Sequence, residues 1–380
     1  MPVVADVEEA GVSVRDVIVI GAGPAGSLAA RTLANRGWDV LLVDQATFPR
    51  RKVCGCCLNR HALSALEAAG MGDLPAKLGA VPLDRVKLAA GGRSAVVRLP
   101  GGVALSREAF DSALIDEAVT TGVCFQSGTR VQMLETESSA ERVSLSNGMR
   151  AKVVIVADGL NGRARGDAPI IRPGSRIGAG AILSDAPAEY EAGTIHMASG
   201  RGGYVGLVRL EDGRLDIAAA FDATFVQQHG LAKAADAILQ SSGLPALPEM
   251  LGADWKGTPP LTRGPVRVAG PRWFAIGDAA GYIEPFTGEG MAWAMAAAVA
   301  VAPLVERCIQ HGPANLAAEW AALHRICVGE RQWACRAMAW TLKRPRLCSA
   351  AVRCLRMLPA LARPVVRSLN RPLASLPGVR

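Results

Sequence analysis

Aromatic residues are scarce in this chain, at 4% of its 380 positions. They do not interleave regularly with its basic residues, so a net charge of +8 comes without a nucleic-acid recognition pattern. Nine cysteines are present, but no second pair stands at zinc-ligand spacing from the cluster Cys54, Cys56 and Cys57, which argues against a structural metal. Adjacent cysteines rarely bond to each other, so these three thiols are either small packing residues or a redox-active group. A long hydrophobic run is also missing. The most apolar stretch, Gly290 to Val305, is short and interrupted by Pro303, and it predicts a buried helix rather than a membrane span. Asp6, Glu8 and Glu9 precede any apolar run. That is not a secretory signal, and the expectation is a cytoplasmic protein with mostly reduced thiols.

Acidic residues stop at Glu330, whereas eleven cations follow it. Without those eleven, 31 of the 42 basic residues remain against 34 acidic ones, so the positive charge belongs to the tail. Met338, Trp340, Leu342, Leu347, Leu355, Met357, Leu358, Leu361, Val365 and Val366 alternate with these cations. The pattern predicts short basic amphipathic helices broken at Pro345, Pro359 and Pro364. They suit peripheral contact with an anionic membrane surface, or form a helical cap with solvated arginines.

The positive evidence lies in three separated stretches. Asp16 to Ile20 is a β-branched run that feeds Gly21-Ala22-Gly23-Pro24-Ala25-Gly26 and then a helical pattern to Arg36, giving strand, tight turn and helix. Gly21 permits the turn, Gly23 lets backbone approach a pyrophosphate, and Gly26 lets the helix pack on the strand beside Ala25, with free N–H groups aimed at the phosphates. A second strand, Val40 to Val43, ends in Asp44, placed to accept ribose hydroxyls. An acid there disfavours a 2′-phosphate and selects FAD or NAD. The runs Lys152 to Val156 and Trp273 to Ile276 end in Asp158-Gly159 and Gly277-Asp278, so each sets a carboxylate at the sheet edge where ligands bind. Glu284 to Gly290 follows, with Pro285, Gly288 and Gly290, and opens a helix expected from Met291 to about Val305. Such a loop can direct N–H groups at an electron-rich flavin edge.

Taken together, residues 15 to 310 resemble the FAD-dependent family of the para-hydroxybenzoate hydroxylases and geranylgeranyl reductases. The resemblance implies FAD as cofactor, with the ADP part at the first glycines and the ribityl chain at Gly277-Asp278. NADH or NADPH would be the electron donor, handled with FAD near Asp158-Gly159. Ser106-Arg107-Glu108-Ala109-Phe110-Asp111 is similar to the family's helix start, in which Arg107 would contact the flavin nucleotide and Ser106 would cap. Pro49-Arg50-Arg51-Lys52-Val53-Cys54-Gly55 resembles a segment of the reductase branch. This puts Arg51, Cys54 and Gly55 at the cofactor and makes Cys54 a candidate catalytic thiol. Two departures stand out. Gly203 to Arg209 keeps Tyr204 but lacks the tryptophan and proline of that branch's substrate segment, and the halogenase Trp-x-Trp-x-Ile-Pro signature is missing.

The resulting expectation is an α/β protein, a Rossmann-like FAD-binding domain with an inserted β-sheet substrate domain and a helical C-terminal tail. The FAD-binding domain would take residues 1–75, 100–170 and 265–320. The substrate domain would take 76–99 and 171–264, and the basic tail 321–380. Gly178 to Leu183, Tyr204 to Leu210 and Leu215 to Phe221 would supply the sheet, with Tyr204, His196 and Arg209 as polar residues facing a hydrophobic small-molecule substrate and Tyr204 also a candidate catalytic residue. The expected function is an FAD-dependent monooxygenase acting on an aromatic or lipid-tailed intermediate. The alternatives are reduction of isoprenoid double bonds and, from another class, a non-catalytic FAD-dependent binding protein. No nucleophile, base and orienting set accompanies these motifs, as expected where the chemistry is the cofactor's.

Overall fold

A computed structural model describes residues 14–134, 141–284, 286, 288–329 and 332–370. In chain order it begins with β1 (Arg15–Ile20), α1 (Pro24–Ala34), β2 (Val40–Val43), β3 (Arg85–Ala90), β4 (Arg93–Arg98), α2 (Arg107–Thr120), β5 (Cys124–Gln126) and β6 (Arg150–Val156). There follow β7 (Ile177–Leu183), β8 (Thr194–Gly200), β9 (Gly203–Arg209), β10 (Leu215–Phe221), α3 (Leu231–Ser242), β11 (Lys256–Pro260) and β12 (Trp273–Ala275). The remainder is helical: α4 (Gly290–His311), α5 (Leu316–Cys327), α6 (Gln332–Leu342), α7 (Pro345–Met357) and α8 (Arg363–Leu369).

The first of two seven-stranded sheets contains the parallel order β12-β6-β1-β2-β5. Both faces are covered, which explains why these strands read as continuous apolar runs instead of alternating ones. Val17, Val19 and Leu42 pack against α1 and α4, while Ile18, Ile20 and Val154 pack with Trp273 on the other side. The sheet order places the C-terminal ends of β1, β2, β6 and β12 along one edge, and Gly21, Asp44, Asp158 and Gly277 all lie there.

The second sheet runs β11-β7-β10-β9-β8-β3-β4, antiparallel except for the parallel β3/β8 pair. Its back is covered by α3, and its other face looks across a cavity at the first domain. Three of its strands, β7, β9 and β10, stand where alternation and turns predict them; β3, β4, β8 and β11 are additional.

One helical expectation needs correction, while the tail helices are interrupted at the expected prolines. The helix from Gly290 does not stop near Val305 but continues through Pro303 to His311. A proline inside a helix costs about 3 kcal/mol, and here the buried face from Met291 to Cys308, packed on α1, outweighs it. Helix α4 is long and apolar enough to cross a membrane by composition, but it is mostly buried in the protein core. In the tail, Pro345 and Pro364 stand in the first turns of α7 and α8. They start helices, as their missing N–H and fixed φ allow.

Candidate active site

At the nucleotide end, Gly21 has φ of +106° and donates its N–H to Val43 O at 2.7 Å, closing the turn. Gly23 is the extended N-cap residue of α1. A Cβ on Gly23 would meet nothing closer than Arg50 Nη2 at 3.6 Å and Arg107 Nη2 at 3.9 Å. Two guanidinium groups therefore converge on the free N–H groups of a helix N-terminus, a donor set that fits a pyrophosphate. Asp44 lines the same space. Its Oδ2 accepts from Ala22 N and its Oδ1 from Ala46 N, both at 2.8 Å, leaving lone pairs for ribose hydroxyls.

Arg107 is held by a bidentate pair with the fully buried Asp111, 2.8 Å on each arm, and Arg50 approaches the same carboxylate at 3.4 Å. Ser106 caps α2 by accepting from Ala109 N at 3.2 Å. Arg51 also lines the cavity, but its guanidinium is engaged on the second domain's side, bonding Gly180 O at 3.1 Å and Asp254 O at 2.9 Å. Neighbouring side chains on extended backbone point to opposite sides, and here it is Arg50 that faces Gly23. Arg50 and Asp111 were missed as site residues, although both lie inside motifs that the sequence displays.

Further along the cavity, Asp158 accepts from Ala164 N at 2.8 Å, and burial pushes its carboxyl up. Gly159 has φ of +74°, and a Cβ there would lie 3.2 Å from Lys52 Nζ. That ammonium is 3.9 Å from Asp278 Oδ2, and its pKa is pulled down by burial. Lys52 was also missed; it ties the Asp158 and Asp278 ends together. A Cβ on Gly277 would be 3.0 Å from Ala25 Cβ, so the late Gly-Asp packs directly on the first turn of α1. Gly288 and Gly290 line the cavity where α4 begins. Pro285 lies outside the described residues.

Cys54 and Gly55 are in the cavity wall. The Cys54 thiol is pulled down to about 5 because the Cys56 thiol donates to it and Arg107 stands beside it, together outweighing burial. The lowered value favours the thiolate form of Cys54 over that of its neighbours. Its hydrogen-bond partner Cys56 is pushed up, as is Cys57, the latter by burial and by Asp216. Cys56 adopts φ of +49°, one of two non-glycine residues at positive φ among the described residues.

Tyr204 lines the cavity and is buried, edge-on to Phe286 at 5.1 Å between ring centres. Its hydroxyl has no hydrogen-bond partner. His196 and Arg209 require correction. On β8 it is Ile195 and Met197 that face the cavity. His196 is 2% exposed on the opposite face, edge-on to Tyr190, and burial pulls it down to about 4. Arg209 bonds the carbonyls of Ala186 and Pro187 at 2.9 and 3.1 Å, pinning a loop behind the sheet. The physical reason is the two-residue period of a strand, which sends alternate side chains to opposite faces.

One cavity of about 800 Å³ unites these parts, from Gly23 and Asp44 past Cys54 and Tyr204 to an apolar end at Leu88, Val97, Leu355 and Leu361. A dinucleotide cradle opening on an apolar chamber under a second sheet defines an FAD-dependent oxidoreductase. Residues 15–206 match the FAD binding domain family, and the chain belongs to it. It is 29% identical over 356 residues to a menaquinone reductase of Mycobacterium tuberculosis, covering 87% of this chain and 85% of that one. It is also 29% identical over 310 residues to digeranylgeranylglycerophospholipid reductase 1 of Methanopyrus kandleri, covering 73% and 76%. Among solved structures it is similar to pqsL, a probable FAD-dependent monooxygenase from Pseudomonas aeruginosa, with a TM-score of 0.73 at 20% identity over 89% of this chain and 99% of that one. That likeness is one of fold.

Proposed function

We propose that this flavoprotein reduces a carbon–carbon double bond in a lipid-tailed, isoprenoid-type substrate, with NADH or NADPH as electron donor. The observation that carries the reading is the shape of the cavity, which joins the FAD cradle to an apolar chamber without an intervening wall. Leu88, Val97, Ile195, Met197 and Leu355 line that chamber. Such a lining binds hydrocarbon and offers little to orient a small polar ring. The names of the menaquinone and digeranylgeranyl lipid reductases support the same order, so reduction is placed ahead of the oxygenation that the sequence alone favoured. FAD supplies the electron pair, and the chain's own residues bind it, orient the lipid and exclude water.

The test is a single turnover. Protein reduced without oxygen and mixed with menaquinone or a geranylgeranyl lipid should reoxidise, and the lipid should gain two hydrogens at one double bond by mass spectrometry. A substrate that instead gains an oxygen atom, and only in air, would overturn reduction in favour of oxygenation.

The proposal includes where the substrate is met. Helices α7 and α8 and the turn between them close the apolar end of the cavity with Leu355, Leu361 and Val365, while Met357 and Leu358 are exposed beside Arg353, Arg356 and Arg363. This arrangement suits a cytoplasmic protein that docks peripherally on an anionic bilayer and draws lipid from it. Each such cation contributes about 1 kcal/mol at an anionic surface. Reversing Arg353, Arg356 and Arg363 to Glu should therefore abolish co-sedimentation with vesicles containing phosphatidylglycerol while leaving FAD bound. Unchanged sedimentation would refute the membrane role.

A further inference from the structure

We propose that Asp216 is the acid of this site, giving its carboxyl proton to the substrate carbon adjacent to the one that receives hydride. The proposal rests on the reductive reading above. Asp216 belongs to β10, and it shares the cavity-facing side of that strand with Ala218 and Ala220. It is 5% exposed, its Oδ2 has no hydrogen-bond partner, and no ion pair to it forms among the described residues. A lone carboxylate in an otherwise apolar strand is costly to bury unless it is neutral, and stability offers no reason to keep it.

The groups around it favour the neutral form. Cys54, Cys56 and Cys57 face it from the thiol loop, Glu108 from α2, and Arg51 from the segment before the loop. Cys54 and Glu108 push it up, whereas Arg51, which pulls it down, is already bonded to Gly180 O and Asp254. Burial first, then the Cys54 charge, pushes the Asp216 carboxyl well up. The Cys56 thiol donates to the Cys54 carbonyl at 3.8 Å, and its pull on the Asp216 carboxyl is downward, outweighed by burial and by Cys54. Cys56 holds that place with φ of +49°, a conformation that costs a side-chain-bearing residue about 1–3 kcal/mol and clusters at functional sites.

The step balances. The double bond's two π electrons form a C–H bond with the Asp216 proton, and the neighbouring carbon accepts hydride, with both of its electrons, from reduced flavin. The hydride would come from bound, reduced FAD; Asp216 is left ionised and regains its proton from solvent. A positioned acid of this kind contributes about 10²–10⁴-fold to rate.

The test uses full-length, FAD-loaded Asp216→Asn. In the resting protein, the infrared difference between wild type and variant should contain the carbonyl stretch of a protonated carboxyl at neutral pH. Reoxidation of the reduced variant by the isoprenoid lipid should be slowed at least about 100-fold, with flavin reduction by NAD(P)H unchanged. Wild-type reoxidation should slow as pH rises through the acid's pKa, whereas the variant's residual rate stays flat, and Asp216→Glu should recover part of the rate. A spectrum without that band, or a variant reoxidised at the wild-type rate, would overturn the assignment. A wild-type protein that reduces no isoprenoid double bond would overturn the reading of the reaction instead, and the infrared band would still decide whether Asp216 is held as an acid.

Discussion

Gly23→Val is expected to give a folded, colourless protein, and Gly26→Ala a protein that does not fold. The two glycines are three residues apart in one motif, yet a side chain at each meets different matter. At Gly26 a Cβ would sit 1.8 Å from the carbonyl oxygen of Gly21 and 3.2 Å from Ala157 Cβ. The obstacle is backbone, and α1 would have to lift off β1. Overpacking in a core costs about 1–3 kcal/mol when side chains can give way, and more where backbone must move. At Gly23 the nearest obstacles are the tips of Arg50 and Arg107, at 3.6 and 3.9 Å, and the backbone is extended. Valine fits that backbone, so stability measured without FAD should change by less than about 1 kcal/mol. Its methyl groups would occupy the path of the pyrophosphate and hold the two guanidinium groups away from it. The measurement is the ratio of flavin absorbance to protein in the purified variant, beside its unfolding midpoint without FAD. A yellow, stoichiometric Gly23→Val protein would put the cofactor elsewhere.

This contrast shows what was legible in the sequence. Local devices could be read directly: the β1 turn into α1, the Ser106 cap on α2, and the carboxylates at the ends of β6 and β12. Each depends on residues within a few positions of one another. What could not be read was which way a side chain faces once two distant segments meet. Arg50 and Arg51 are adjacent and chemically identical, and only the fold sends one to Gly23 and the other to Asp254. Sheet parity has the same character, since the pattern of β8 and β9 shows alternation but not which set faces the cavity. Thus Tyr204 faces in, while His196 and Arg209 face out. Asp216 did carry a signal, as a single acid within the apolar run of β10.

Arg176→Met should destabilise the protein by about 3–5 kcal/mol, because it leaves Glu284 buried without its cation. Arg176, immediately before β7, is 1% exposed. It bonds Glu284 Oε1 at 2.8 Å, Asp222 Oδ1 at 2.9 Å and the Leu342 carbonyl at 3.1 Å, and its guanidinium lies 5.7 Å from the centre of the Tyr204 ring. One side chain thus joins the second sheet, the segment leading into Gly288 and Gly290, and the end of α6. Burial already pushes the Glu284 carboxyl up against the pull of Arg176. Desolvation therefore outweighs attraction at this carboxyl, and the pair is better understood as fixing an arrangement than as adding stability. It follows that Arg176→Met combined with Glu284→Gln should recover most of the lost stability, as paired replacement of buried ions commonly does. Asp222, partly exposed, stays solvated in both variants. FAD affinity should fall in the single variant and recover less than stability in the double one, since the anchor of the flavin loop is gone in each. Denaturant midpoints and FAD titrations of the two variants provide the comparison. A double variant as unstable as the single one would show that Glu284 is not the group left uncompensated, and that Arg176 acts through its bonds to Leu342 and Asp222.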